Sequence, residues 1–336
     1  MRRGGAWLIL PLLALVLLFL LSLAVGKYAV SPHDLLAVLW DKLTGAPSGV
    51  PPAVETVVWQ IRLPRIAAAL LVGAALAAAG ATYQGLFRNP LVSPDILGVA
   101  AGAGLGAVLG IFFSLPVAAV QVLAFLGGLG AVLAVYLTGA AMRGRDPILV
   151  LVLAGVAMGT LLGAAISLVK VLADPYNQLP AITFWLLGSL TAITLPDLRA
   201  VLPAVLVGLV PLYLLRWRMN LMTLGDEEAR ALGVDTRLLR VLFIASATLM
   251  TSAAVSVSGI IGWIGLIIPH AARLIAGPEF SRLLPAAMLL GAGYLLAVDT
   301  LARTMAAIEV PIGILTAFIG APFFLWLLAT ARRGWQ

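Results

Sequence analysis

Long apolar segments that carry almost no charge dominate the chain. Of its 336 residues, 62% are hydrophobic and 10% are charged, and the mean hydropathy is +1.11. A soluble domain carries about 25% charged residues, whereas a helix needs about 20 apolar residues to cross the hydrocarbon core of a membrane. We therefore predict an all-α polytopic membrane protein, a single domain over residues 1–336 with about ten transmembrane helices. The predicted spans are residues 7–25, 64–86, 96–113, 117–141, 148–172, 197–215, 239–257, 261–275, 284–302 and 312–330.

The basic residues predict the orientation, because Lys and Arg accumulate in cytoplasmic loops. The apolar run at 6–25 is longer than a signal-peptide core, so it is interpreted as a retained first span. With the N-terminus inside, 14 basic residues are cytoplasmic and 7 are external. The cytoplasmic set is Arg2, Arg3, Arg88, Arg143, Arg145, Arg216, Arg218, Arg230, Arg237, Arg240, Arg273, Arg282, Arg332 and Arg333. The external set is Lys27, Lys42, Arg62, Arg65, Lys170, Arg199 and Arg303. Ten spans return the C-terminus to the cytoplasm, so both termini are predicted to be cytoplasmic.

A charged island, LGDEEARALGVDTRLLR at 224–240, lies between the sixth and seventh spans. Acidic residues at 226–228 follow Gly225, and negative charge is favourable in the first turn of a helix. Gly233 is suited to end that helix. A short capped helix in a large inner loop can transmit force as a rigid body. We interpret the island as a cytoplasmic coupling loop for a soluble partner; a solvated helix without a partner is the alternative.

The polar residue types exclude several functions. The chain has no cysteine and two histidines far apart in sequence, so no metal site is predicted. It has no GxxxxGK[ST] loop and no clustered catalytic groups, so it is predicted to bind no cofactor and to be no enzyme. Its net charge of +7 is spread between apolar spans, so a nucleic-acid partner is not expected. His270 is interpreted as making a hydrogen bond at a helix end near Arg273.

Ionisable residues are almost absent from the predicted spans. Asp299 and Arg303 are the main exception; four residues apart, they share one helical face near the outer end of the ninth span. Ion-driven secondary transporters usually carry such groups near mid-membrane. An ion-coupled secondary transporter is therefore a disfavoured alternative, and a neighbouring gene for an ATPase would argue against it.

Two further segments are predicted to be helical outside the spans. Residues 31–45 begin with a Ser cap and show helical apolar spacing, which favours a helix on the outer surface. Residues 182–190 are apolar but too short to cross, which favours a re-entrant or interfacial helix. Glycines spaced by four favour close helix packing, with the lining of a passage as the alternative. They are Gly98, Gly102, Gly106 and Gly110, and then Gly155, Gly159 and Gly163.

Six segments, in order and in register, resemble one known family, the permease subunits of type II ABC importers. The segments are IRLPR at 61–65, GATYQGLFRNPLVSPDILGVAAGAGLGA at 80–107, FWLLGSL at 184–190, LGDEEARALGV at 224–234, GWIGLIIPHAARLIAG at 262–277 and VPIGILTAFIGAPFFLWLL at 310–328. The resemblance covers nearly everything after the first span. This family takes up iron–siderophores, haem and cobalamin.

The resemblance implies an assembly in the inner membrane. Family members have ten spans per subunit and form a homodimer, with the passage along the subunit interface. Two ABC ATPase subunits bind ATP and Mg on the inside, and a periplasmic or lipid-anchored binding protein docks on the outside. On this basis the chain is expected to pass a chelated metal cargo inward, with lipid around it and without hydrolysing ATP itself.

The resemblance also implies roles for individual residues. ATPase coupling maps onto Asp226, Glu227, Glu228, Ala229, Arg230 and Gly233. Docking of the binding protein maps onto Arg62, Arg65 and Arg303, for which anchoring to lipid headgroups is the alternative. A cytoplasmic gate maps onto Asn89 and Leu91, within an inner turn at 88–94 that two prolines stiffen; a purely structural turn is the alternative.

The cargo is bounded only by class. The absence of Cys and the scarcity of His and of carboxylates in the spans argue against a naked transition metal. Walls of Ala, Gly, Leu and Val suit a large chelated cargo, such as an iron–siderophore, haem or cobalamin. Some relatives move oxyanions such as molybdate, which is the leading alternative.

Overall fold

The computed structural model describes residues 6–45, 49–142 and 147–330, and every regular element within these ranges is helical. The α-helices are α1 (Ala6–Ala24), α2 (Pro32–Thr44), α3 (Pro52–Thr56), α4 (Leu63–Leu86), α5 (Val99–Phe112), α6 (Val117–Ala141), α7 (Pro147–Leu172), α8 (Gln178–Leu186), α9 (Leu195–Leu214), α10 (Arg216–Met222), α11 (Asp226–Ala231), α12 (Thr236–Ser258), α13 (Ile264–Ala276), α14 (Phe280–Thr304) and α15 (Ile312–Thr330). Six arginines of the orientation count, Arg2, Arg3, Arg143, Arg145, Arg332 and Arg333, lie outside the described residues.

Ten apolar helices occupy the ten predicted spans. Within the described residues, six are long and apolar enough to cross a membrane, and four are shorter apolar helices of 10–17 residues. The long ones are Pro52–Leu86, Val117–Ala141, Ile148–Leu172, Leu195–Leu214, Thr236–Ser258 and Phe280–Thr304; the shorter ones are Leu8–Ala24, Val99–Phe112, Ile264–Ala276 and Ile312–Leu327. The all-helical expectation is confirmed for the described residues, while the count of ten complete crossings stays a prediction.

Most helix starts differ from the predicted spans by one to four residues, and three of the differences have a clear structural reason. The helix of the second predicted span begins at Pro52 and not at residue 64. It is longer because α3, a π-helical stretch Val57–Arg62 and α4 are continuous. The third begins at Val99 and not at residue 96, because Gly98 has a left-handed φ of +79° that α-helices do not accept. α13 likewise begins after Trp263, whose φ is +72°.

The centre of the bundle is formed by α4 and α12. In the most apolar 18 residues of each helix, the buried share is 78% for the long helix that contains α4 and 72% for α12, whereas it is 17% for α7. α4 is rich in Ala and Gly, so neighbouring backbones can approach it closely. Three buried hydroxyls on α12, those of Thr251, Ser256 and Ser258, bond back to their own helix; Thr251 Oγ1, for example, donates to the Ala247 carbonyl at 2.8 Å. These three groups therefore keep a hydrogen bond in the core, whereas the buried Ser252 Oγ has no hydrogen-bond partner.

Glycines carry the closest helix crossings. A Cβ added to Gly80 of α4 would lie 2.0 Å from the carbonyl oxygen of Gly265 on α13, and one added to Gly73 would lie 2.3 Å from that of Gly291 on α14. In the predicted stripes, Gly102 and Gly106 pack as closely on α6, which confirms helix packing there. On α7, Gly155 meets the Ile96 carbonyl, whereas nothing lies within 4 Å of a Cβ at Gly159 or Gly163.

The helix predicted at 31–45 is confirmed as α2. Its cap, the Ser31 hydroxyl, accepts a hydrogen bond from Asp34 N at 3.0 Å, and Gly45 ends it at φ +72°.

The segment predicted to be helical at 182–190 forms α8, but the helix starts earlier and ends at Leu186, not at residue 190. Gly188 turns the chain away at φ +73°, and Ser189 N donates to the Ser258 carbonyl at 2.8 Å. The Gly188 carbonyl accepts from Ile312 N at 3.0 Å. The residues after α8 therefore join the end of α12 to the start of α15, and these long-range bonds stop the helix.

Candidate functional site

The charged island folds as a short capped helix. Acidic side chains occupy the first turn of α11, as predicted, and Gly233 ends it at φ +79°. Gly233 N donates to the Arg230 carbonyl at 2.9 Å and Val234 N donates to the Ala229 carbonyl at 3.0 Å. This pair of bonds is the Schellman arrangement, which satisfies the last carbonyls of a helix. Asp235 then caps α12 directly, because its side chain accepts from Leu238 N at 3.0 Å.

Ion pairing fastens α11 to the central helix α12. Both oxygens of Asp226 accept from Arg240 Nη2 at 2.8 Å, and Arg230 Nε donates to Thr236 Oγ1 at 3.2 Å. Ala229, within α11, is fully buried. These contacts hold α11 to α12, which runs through the core of the bundle. The contribution of Arg240 could not be inferred from the sequence motif, because Arg240 lies one helix further on.

The structure divides the six predicted coupling residues into two groups. Asp226, Ala229 and Gly233 shape the helix or hold it to α12. Glu227, Glu228 and Arg230 are exposed, and Arg230 also bonds to Thr236 of α12. Two apolar side chains beside them, Leu224 and Leu232, are 55% and 60% exposed. The free face of α11 thus combines charge with apolar surface, as protein-binding surfaces do.

The loop between α4 and α5 contains the predicted gate residues. Arg88 adopts φ +51°, a left-handed backbone that few residues other than glycine occupy. Asn89 Oδ1 accepts a hydrogen bond from Leu91 N at 2.9 Å, and Asn89 N donates to the Gln84 carbonyl at 3.2 Å. Asn89 therefore shapes the turn with its side chain, while the Leu91 side chain is 49% exposed.

A cavity of about 620 Å³ opens beside this loop. Asn89 and Leu91 line it together with His270 of α13 and Phe323 and Phe324 of α15. His270 lies in the middle of α13, so its predicted position at a helix end is wrong. Periodicity could not connect these residues, because they come from three elements far apart in the chain.

Five charged residues meet at the opposite end of α4 and α14. This outer charge cluster consists of Arg62, Arg65, Asp299, Arg303 and Glu309. Arg65 Nε donates to Asp299 Oδ1 and Arg65 Nη1 donates to Glu309 Oε2, both at 2.9 Å. Arg303 Nε lies 3.5 Å from Asp299 Oδ2, which confirms the predicted pair on one helical face.

The three predicted docking arginines are buried in this cluster, with 3% (Arg62), 6% (Arg65) and 5% (Arg303) of their surface exposed. Arg62 donates to the carbonyls of Leu23 and Tyr28. Arg303 Nη2 donates to Ser22 Oγ at 2.6 Å. The arginines therefore come together as expected, but each already has partners within the chain. Their role in docking stays a prediction.

Glu309 is the more accessible carboxylate of the cluster. Its side chain is 26% exposed, whereas that of Asp299 is 0% exposed. Partial burial raises the pKa of Glu309, but the hydrogen bond from Thr191 and the charge of Arg65 outweigh burial and hold this pKa below its usual value. Glu309 is therefore ionised at neutral pH. It links α4 to the residues after α8, because Thr191 Oγ1 donates to it at 2.7 Å.

Within the described residues, no group of three or more His, Asp or Glu side chains could hold a metal ion.

Comparison with known proteins places this arrangement in a family. Residues 14–330 match the FecCD transport family. The chain is 40% identical over 322 residues to the molybdate import system permease protein MolB of Haemophilus influenzae, covering 96% of this chain and 95% of that protein. It is 46% identical over 281 residues to the cobalamin import system permease protein BtuC of Halobacterium salinarum, covering 83% of this chain and 75% of that protein.

Solved structures show the same architecture. A metal-chelate type ABC transporter in an inward-facing conformation superposes with a TM-score of 0.86 at 39% identity, covering 96% of this chain and 98% of that one. PsaBC from Streptococcus pneumoniae shares the fold more distantly, with a TM-score of 0.57 at 15% identity over 78% of this chain and 89% of that one. With a match over residues 14–330, a helical bundle of apolar spans and curated permease relatives along almost its whole length, this multi-pass membrane protein belongs to the FecCD transport family of ABC transporter permeases.

Proposed function

We propose that the chain is the membrane-spanning subunit of an ATP-driven importer. In this proposal it passes a chelated metal cargo from a soluble binding protein across the inner membrane, and its termini face the cytoplasm. Two partner ATPases bind ATP and Mg and supply the energy. The observation that carries the proposal is α11, whose exposed charged face is fastened to the central helix by the Asp226–Arg240 pair.

Reconstitution tests this function. The permease is placed in liposomes with its two ATPase subunits and the binding protein, and uptake of cargo is measured with and without ATP. Uptake should require all components and ATP. Accumulation of cargo by the permease alone, without nucleotide, would identify a secondary transporter and contradict the proposal.

The cargo we propose is an iron–siderophore, haem or cobalamin. Relatives named for cobalamin import and for hemin transport support this choice; the hemin transport system permease protein HmuU of Yersinia pestis is 38% identical over 334 residues. Molybdate is the second candidate, favoured by the similarity to MolB. Titration of the cognate binding protein with ferric siderophores, haem, cobalamin and molybdate separates these cargoes, because affinity is expected to lie in that protein.

A homodimer is part of the proposal, and α7 supports it. This helix is the least buried of the six long apolar helices. Gly159 and Gly163 on it face open space, so a helix of a second copy can approach closely there. Mass measurement of the purified complex should give two permeases and two ATPases, and a complex with one permease would contradict the dimer.

Replacing Arg230 with Glu should uncouple ATP hydrolysis from uptake. Arg230 is exposed on α11, and a reversed charge against an ATPase surface costs several kcal/mol, so ATP-driven uptake should fall at least about tenfold. ATP hydrolysis and uptake are measured together in proteoliposomes. Arg237→Glu, an exposed position on the next helix, is the matched control. Normal coupled uptake by the Arg230 variant would refute the coupling role.

Replacing Glu309 with Gln should strengthen docking if Arg65 receives a carboxylate of the binding protein. The change removes the internal competitor, whereas Asp299 still pairs with Arg65. Because exposed ion pairs are worth up to about 1 kcal/mol, affinity should rise by about fivefold or less. Binding of the soluble protein to the permease complex is measured by pull-down.

Charge reversal of Arg62, Arg65 and Arg303 together should weaken the same binding. Unchanged docking in both this variant and the Glu309 variant would mean that the arginines have no role in docking.

Replacing Leu91 with Trp should obstruct the inner cavity and slow cargo release. Leu91 is half-exposed into a space of about 620 Å³, which an indole fills in part. Uptake should fall while ATP hydrolysis continues. Leu91→Met preserves the volume and is the control. Full uptake by the Trp variant would favour a purely structural turn.

A further inference from the structure

An apolar groove of about 580 Å³ lies on the surface of the bundle between α9 and α14. It is lined by apolar and aromatic side chains, among them Leu209, Tyr213, Leu214, Pro285 and Leu289. Tyr213 and Leu214 are 50% and 71% exposed, so the groove is open to the surroundings. The coupling, gate and docking residues lie elsewhere.

The groove lies within one leaflet of a membrane. It occupies the last turns of α9 and the first turns of α14, next to α10. Leu289 lies nine residues into α14, which at 1.5 Å per residue is about 13 Å from the helix start, and half of a hydrocarbon core is about 15 Å. The lining residues run over 209–214 on α9 and 285–289 on α14, which is about 6–8 Å along the helices. A groove of this length fits a segment of an acyl chain but is too short for a helix that spans the membrane.

Positive charge stands at the end of the groove. The Arg216 guanidinium carbon lies 3.9 Å from the centroid of the Tyr213 ring, which itself lines the groove. Arg218 is exposed two residues further along α10, about half a turn away. Trp217 between them is 63% exposed, as expected for an aromatic side chain at the headgroup level. Among the described residues, neither arginine forms an ion pair. By contrast, Arg282 on α14 pairs with Glu279 at 3.3 Å.

We propose that this groove binds one anionic phospholipid molecule per chain. A segment of an acyl chain lies between α9 and α14, and the headgroup phosphate accepts hydrogen bonds from Arg216, while the nearby charge of Arg218 adds to the attraction. Guanidinium groups suit phosphate because their planar fork can donate two parallel hydrogen bonds. A basic pocket at the cytoplasmic end of transmembrane helices is the arrangement that recognises acidic lipid headgroups. The occupied groove would brace α10, which leads into the coupling segment.

Native mass spectrometry of the purified transporter complex tests the site. The complex is titrated with phosphatidylglycerol or with phosphatidylcholine of identical acyl chains. One phosphatidylglycerol per permease chain should be retained in preference to phosphatidylcholine. The affinity for phosphatidylglycerol should fall about fivefold for each arginine replaced in R216Q and R218Q.

Two further variants separate charge from shape. L289W fills the groove while both arginines remain, so it should also lose the lipid. R199Q removes an exposed arginine at the other end of α9 and should bind lipid like the wild type. Melting temperatures of all variants are measured, because a folded variant is required for the comparison.

The proposal would be overturned by equal retention of both lipids, by unchanged retention in the folded R216Q/R218Q variant, or by an equal loss in R199Q. A photo-crosslinker at Leu289 that captures a protein segment and not a lipid would also overturn it.

Discussion

Replacing Asp299 with Asn should destabilise the folded permease by about 3–5 kcal/mol, the usual cost of removing one partner of a buried ion pair. The Asp299 carboxylate has no exposed surface and lies between Arg65 and Arg303. Without its charge, two buried guanidinium groups face each other with only Glu309, at the edge of the cluster, to compensate. The expected loss is therefore larger than that of a single hydrogen bond.

Thermal unfolding in detergent, followed by size-exclusion chromatography of the heated samples, measures this loss. Glu279→Gln is the matched control, because its partner Arg282 and Glu279 itself are about half exposed, with side-chain values of 48% and 45%. An exposed pair is worth at most about 1 kcal/mol, so the control should melt like the wild type. Equal melting of the Asp299 variant and the wild type would mean that the outer charge cluster adds no stability.

Replacing Gly80 with Val should prevent the bundle from assembling. A Cβ at this position would lie 2.0 Å from the Gly265 carbonyl oxygen and 2.5 Å from the Gly265 Cα, so α4 and α13 must separate. Both are backbone atoms and cannot rotate away as a side chain can. The cost should exceed about 3 kcal/mol, the upper range for ordinary overpacking of a core.

The yield of monodisperse protein after extraction from membranes measures this effect. Gly130→Val is the control, since nothing lies within 4 Å of a Cβ at that exposed position of α6. The control should give a normal yield. A normal yield from the Gly80 variant would show that α4 and α13 can move apart without loss of the fold.

Burial of the outer charge cluster affects how the docking prediction can be tested. Sequence reasoning grouped Arg62, Arg65 and Arg303 on the predicted outer side, and the structure brings them together at one end of α4 and α14. It also supplies Asp299 and Glu309 as internal partners, which a loop-charge count cannot do. Replacement of these arginines will therefore affect folding as well as docking, and the Glu309 variant is the cleaner test.

The sequence by itself determined where most helices lie and that a short capped helix follows Gly225. Helical hydrogen bonds join residues four apart, and the caps of α2 and α11 lie within a few positions of the residues they serve, so local patterns suffice. Apolar length decided which helices could enter a membrane.

Only the tertiary structure decided which distant residues meet. Arg65 and Asp299 are 234 residues apart in sequence. Gly80 and Gly265, which also meet, are 185 residues apart. The end of α8 was misplaced for the same reason, because its last turn is replaced by hydrogen bonds to Ser258 and Ile312. Such contacts depend on how whole helices pack in three dimensions, and no short-range periodicity records that packing.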